Sequence, residues 1–336
     1  VVRPGDIVVL AFAFATYART LWDPLAGSGF PWTQHIYAIA AVVTLTTINV
    51  LGVREGKWTQ NLLTVIKALG LLFIVAVAAF AGSATPVATV GEIPLSLAFI
   101  FVLFTYGGWN EMAYVAAEVK NPGRNIVRAL VLGTLAVTLL YLLVNGAFLA
   151  ALGFDGLRAS EAVAADTINR VWPDAGGRLI ALLVCLSALG AVNGLIFTGA
   201  RISYAVGAEH HGFGWLGKWH ARLGTPANAL ILQGVIACVL VVALGTFIHA
   251  VLYTAAVVYS FYLATSLAVI VLRRRDPQAA RPFRTIGYPL TPIVFAAVCA
   301  FLIYSAVTYK PWVAGGAVVL LLLGLPLHYW SAKRKQ

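Results

Sequence analysis

Long apolar stretches alternate with short polar links along the whole sequence, and most of the long stretches are apolar on every side. A helix at a water surface keeps one polar face, so all-round apolarity marks a buried core helix or a membrane span. A span needs roughly 20 apolar residues. On that measure the pattern predicts an all-α transmembrane chain of about ten spans, near 5–20 (partial), 36–53, 59–81, 94–118, 127–152, 178–204, 226–244, 247–272, 290–309 and 311–330. The first apolar stretch, Ile7–Thr20, is too short to cross alone, the chain opens on Val1, and its single methionine is Met112. The expectation is a sequence cut inside a helix, without its natural N-terminus or a signal peptide.

Composition removes the soluble alternative. Charged residues are 10% of the chain and hydrophobic ones 61%, against roughly 25% charged in soluble domains. The 336 residues suit one transmembrane domain, 1–336. A net charge of +11 would suggest nucleic acid in a soluble protein. Here the basic residues sit in links between spans, where they set orientation, and no nucleic-acid partner is expected.

Those basic residues alternate by link. One set carries Arg54 and Lys57, then Lys120, Arg124 and Arg128, then Arg201, Lys218 and Arg222. It continues with the arginines at 273–275, 281 and 284 and ends with Lys333, Arg334 and Lys335. The other set holds Arg19, Arg158, Arg170, Arg178 and Lys310. By the positive-inside rule the richer links and the C-terminus are cytoplasmic, in a multi-pass protein of the cell membrane with lipid as its surroundings.

The longest external link, Phe154–Gly177, has room for a short surface helix. The longest internal link, Val206–Asn228, contains His210, His211 and His220. Paired histidines raise a metal, but no cysteine or carboxylate stands at ligand spacing, so they read as polar loop residues. Cys185, Cys238 and Cys299 lie in apolar segments and read as small core residues. There is no nucleophile–base pair, HExxH or phosphate loop, so neither an enzyme nor a cofactor is expected.

Three places carry chemistry. The fourth span is interrupted by Tyr106-Gly107-Gly108-Trp109-Asn110-Glu111. Paired glycines weaken a helix by about 1 kcal/mol each, and polar residues at that depth are costly and usually functional. An unwound stretch would expose amides and carbonyls between helix ends of opposite partial charge, which suits a zwitterion. Close helix packing is the other reading of two glycines. Lys67, in NLLTVIKALGLLFIV, lies about two turns inside its span. It either snorkels to the nearby face or is a buried cation whose protonation answers to conformation. Ser187 and Asn193, in CLSALGAVNGLIFTGAR, suit a helix contact or a cavity lining equally.

The stretch FTYGGWNEMAYVAAEVKNPGRNIVRAL resembles the sixth helix and following loop of amino-acid permeases of the amino acid–polyamine–organocation superfamily, above all the LAT-like exchangers and their bacterial relatives. Phe104, Gly107, Gly108, Trp109, Asn110, Glu118, Asn121, Pro122 and Arg124 meet the pattern. INVLGVREGKWTQNLLTVIKALGL, GAVNGLIFTGARISYAVG and LRRRDPQAARPFRTIGYPLTP extend the resemblance over nearly the whole chain.

The resemblance implies an inverted-repeat (LeuT-like) transporter bundle, here with the first two helices and part of the third missing. A Gly-rich half of the substrate site would be missing with them, and transport by this fragment alone is not expected. The resemblance implies an amino acid or related amine as substrate. Phe104 would be the aromatic gate, Thr105, Gly107 and Gly108 the cradle for the amino group, with Tyr106 beside them, and Trp109 and Asn110 pocket wall and helix support. Lys67, with Ser187 near it, would stand where sodium binds in sodium-coupled relatives. That implies sodium-independent exchange or proton-coupled uptake. A membrane sensor that binds an amino acid without moving it is the alternative function. No cysteine lies in an external link, which leaves an accessory subunit unassigned.

Overall fold

The structure is a computed structural model that describes residues 2–24, 30–52, 57–80, 94–110, 119–160, 162–173, 175–281 and 284–333. Eleven α-helices fill most of them: α1 Val2–Leu21, α2 Thr33–Val50, α3 Lys57–Ala78, α4 Leu95–Thr105, α5 Pro122–Ala159 and α6 Val163–Asn169, followed by α7 Ala175–Glu209, α8 Ala227–Leu244, α9 Phe247–Arg275, α10 Leu290–Tyr309 and α11 Pro311–Lys333. A helix stands at each of the ten expected stretches, and α6 lies in the link expected to hold a surface helix. Among the described residues α5, α7, α8, α9 and α10 are long and apolar enough to cross a membrane.

The helix ends follow local chemistry. Asn121, in the left-handed region at φ 50°, precedes Pro122 at the start of α5, and the Asn121 carbonyl takes the Arg124 and Asn125 N–H groups. Proline suits that first position because its missing N–H would be unpaired there anyway. The link after α7 is tied by His220, whose ring nitrogen accepts the Leu223 N–H at 3.2 Å while its own N–H donates to the Thr225 carbonyl. The Gly153 φ of 68° kinks α5 near its end.

The chain divides into two compact units. The first comprises 1–91, 140–250 and 322–336. In it α1 packs on α7, α2 and α8, α2 and α7 also pack on α8, and α3 and α6 lie against α7. The contact faces recur every three or four residues. On α1 they are Ile7, Val8, Ala11, Phe12 and Ala15, and on α8 Ala227, Leu230, Gly234, Ala237, Val241 and Leu244. Small residues at these seams let helices approach closely, the usual basis of association where lipid is as apolar as the partner.

Polar groups are paired across the same seams. The Asn49 amide on α2 donates to the Asn193 side-chain oxygen on α7 at 2.5 Å, and both residues are buried. Gln233 on α8 donates its amide to the Leu195 and Ile196 carbonyls of α7 at 3.4 and 3.3 Å. Gly199 makes room for it, since a Cβ there would stand 2.4 Å from the Gln233 oxygen.

The second unit comprises 92–139 and 251–321. Its contacts run between α4 and α10, with Phe99 edge-on to Phe301 at 6.5 Å, and between α9 and α10, where the Ser266 hydroxyl donates to the Pro292 carbonyl at 2.8 Å. The apolar window of α5 is not buried at all within the chain. Leu132, Leu135 and Leu142 on it are largely exposed, which is a face for lipid.

Candidate functional site

The α4 helix stops in the middle of an apolar run. Its last residue is Thr105, and Tyr106, Gly107 and Gly108 form a turn that leads into a short 3₁₀ turn at Trp109 and Asn110. The Gly107 N–H donates to the Phe104 carbonyl at 2.9 Å, closing the turn. A Cβ at Gly107 would stand 2.9 Å from that carbonyl oxygen, and Gly108 has φ 92°, where L residues are strained. Among the described residues a Cβ at Gly108 would meet nothing within 4 Å, and the close neighbour of Gly107 is its own chain. Among the described residues the two glycines therefore serve the break and not close packing of another helix. Glu111 and Glu118, also singled out in the sequence, lie outside the described residues.

Aromatic side chains hold the segment after the break. The Trp109 ring lies 4.9 Å from Tyr262 on α9 and 6.3 Å from Phe295 on α10. Tyr262 and Phe295 are 6.2 Å apart, and Tyr259 is edge-on to Tyr262 at 6.0 Å. The Tyr262 hydroxyl donates to the Asn110 side-chain oxygen at 2.9 Å. Such ring pairs contribute about 0.5–1.5 kcal/mol each beyond their buried area. They let an interrupted helix keep one geometry. Tyr259, Tyr262 and Phe295 have no distinguishing mark in the sequence, because aromatics in an apolar run look the same whether they face lipid or a site.

The break leaves Thr105, Gly107, Gly108 and Trp109 exposed, with Phe104, Tyr106 and Asn110 partly covered. The Thr105 hydroxyl turns back to the Val102 carbonyl at 2.6 Å. The end of α4 carries the partial negative charge of a helix C-terminus. A cationic group is favoured there, and the exposed glycine backbone brings no side chain to obstruct it.

Lys67 and Ser187 belong to the first unit. Lys67 is partly buried on α3, ten residues from the start of the helix, or about 15 Å along it. Among the described residues it forms no ion pair. The two helices run antiparallel. Gly70 faces the Leu183 side chain of α7, and toward the other end Ile74 and Val77 cluster with Ile168 and Ile180. Lys67 is on α3 and Ser187 on α7, the helix α3 packs against. Asn193 lies further along α7 in its pair with Asn49 and is a helix contact.

Comparison with known proteins agrees with this architecture. The family model described as "Amino acid permease" matches residues 4–320. The chain is 31% identical to the b(0,+)-type amino acid transporter 1 of Mus musculus, over 98% of this chain and 69% of that protein. It is 29% identical to the large neutral amino acids transporter small subunit 2 of Homo sapiens, over 100% of this chain and 65% of that protein. The b(0,+)-type amino acid transporter 1 of Rattus norvegicus is 32% identical over 85% of this chain, which covers 60% of the rat protein. The class is thus a multi-pass helical membrane protein, and within it the chain belongs to the amino acid permease family. That is a family of transporters and not of enzymes. The chain spans roughly two thirds of the length of these relatives.

Proposed function

We propose that residues 1–336 belong to one transporter domain that moves an amino acid across the cell membrane by alternating access. The domain is an inverted-repeat bundle with about ten spans in this chain and a cytoplasmic C-terminus. The observation that carries the reading is the break at Tyr106–Gly108. It joins a helix C-terminus, exposed backbone and an aromatic wall within one short segment. The substrate ammonium sits at the end of α4, where Thr105, Gly107 and Gly108 present the backbone. Phe104 closes over it, with Tyr106 beside it and Trp109 and Asn110 walling the pocket. Transport then needs only that the site be reached from alternate sides, because the bound charge is met by fixed dipoles and not by a bulk of water.

Lys67, with Ser187 on the helix packed against its own, is the coupling element. A fixed ammonium at this level repels sodium, so the cycle is sodium-independent and runs as an exchange or as a proton-coupled symport. The test is uptake of labelled amino acids by the full-length protein in liposomes, with sodium replaced by choline. Uptake that persists without sodium, and that rises with internal amino acid or with an inward proton gradient, is expected. Strict sodium dependence would overturn the coupling role, and binding without any flux would favour a sensor.

A further inference from the structure

The link from the end of α9 to the start of α10 has chemistry that substrate movement does not use. It holds Arg273, Arg274, Arg275, Arg281 and Arg284 against one acid, Asp276. Arg281 is spent on the link itself. It donates to the Pro277 and Ala279 carbonyls at 3.2 and 2.8 Å and to the Asp276 carbonyl, which folds the segment into a compact turn. Arg274, Arg275 and Arg284 are exposed. Among the described residues none of the five is in an ion pair.

Arg273 differs from the others. Its guanidinium lies 4.0 Å over the Tyr288 ring, which fixes it in place. Among the described residues one of its terminal nitrogens, Nη1, is buried without a hydrogen-bond partner. A buried charged donor left unmade costs free energy, so the position calls for an acceptor. A planar guanidinium held on a ring is prepared for the paired oxygens of a phosphate.

The surroundings select the carrier of that phosphate. Val271 and Leu272, at the end of α9, are exposed, as are Ile286 and Leu290 before and at the start of α10, with Ile286 78% exposed. A free anion matches the arginines alone. A phospholipid matches both, with its headgroup at the arginines and its acyl chains along the apolar side chains. We propose that this link is a binding site for the headgroup of an anionic phospholipid. Arg273 is the oriented contact, and Arg274, Arg275 and Arg284 supply the surrounding field. The inference needs the chain to lie in a membrane and does not depend on which solute it carries.

The test uses the full-length protein in nanodiscs of phosphatidylcholine, with and without phosphatidylglycerol, reading thermal midpoint and lipid retained in native mass spectrometry. Phosphatidylglycerol is expected to raise the midpoint and to be retained over phosphatidylcholine, while inorganic phosphate does neither. The double variant Arg274→Gln/Arg275→Gln should lose phosphatidylglycerol retention about tenfold or more with its midpoint in phosphatidylcholine unchanged. Arg273→Lys, which keeps charge and loses the planar fork, should lose more than Arg284→Gln. Three results would each overturn the site: no preference between the lipids, equal retention by the double variant, or phosphate stabilising the protein as well as the lipid does.

Discussion

The two units of this chain treat polarity inside an apolar bundle in opposite ways. In the first, polar side chains face one another across helix seams: Asn49 with Asn193, and Gln233 with the carbonyls of α7. In the second, the backbone itself opens at Gly107 and Gly108, and rings hold the break open. A polar group in such a bundle either closes on a partner and joins helices or stays open to receive something. On the proposed function, the seam pairs of the first unit serve as scaffold and the break of the second receives the substrate.

Four changes can break or sharpen that contrast. The largest effect is expected from Lys67→Met. Coupled uptake into liposomes should fall to background while a binding assay finds substrate affinity within a few-fold, since the break is untouched. Normal uptake by this variant would remove Lys67 from the mechanism. Gly199→Val drives a side chain into Gln233, and overpacking of this kind costs about 1–3 kcal/mol. The thermal midpoint should drop by several degrees, with uptake per folded molecule preserved.

Gly108→Val should reach uptake as well. Among the described residues nothing lies within 4 Å of its Cβ, but the φ of 92° imposes roughly 1–2 kcal/mol of backbone strain. Uptake per folded molecule should fall at least about tenfold, with a fall in midpoint no larger than that of Gly199→Val. A variant that melts early but transports normally when folded would make the break a structural device only. Tyr262→Phe gives the smallest effect. It removes the hydrogen bond to Asn110, worth about 1 kcal/mol, and should raise KM roughly fivefold with only a small fall in midpoint.

Much of this contrast is legible in the residue pattern. The apolar runs place the helices, and GGWN inside one of them announces an interruption. The same pattern leaves the glycines ambiguous, because a packing seam and a break both ask for small residues. Gly199 and Gly108 look alike in the sequence. Gly199 proves to be a seam, against Gln233, and Gly108 a break whose Cβ would meet none of the described residues. Asn193 is likewise ambiguous until its partner Asn49, 144 residues away, is seen. The aromatic support of Tyr262 and Phe295 is not legible at all. An aromatic side chain in an apolar run carries no mark of whether it meets lipid, core or site.

The sequence by itself determined the class of this protein, an all-helical chain made for lipid, and the spot where one helix is interrupted. Those features follow from local hydrophobicity and local backbone cost, which depend on neighbours in the chain. Tertiary structure alone decided which glycine packs and which one bends. It also decided which polar side chain is paired and which rings brace the break. Each of these is a meeting of residues far apart in the chain, and the free energy of such a contact exists only once the helices are side by side.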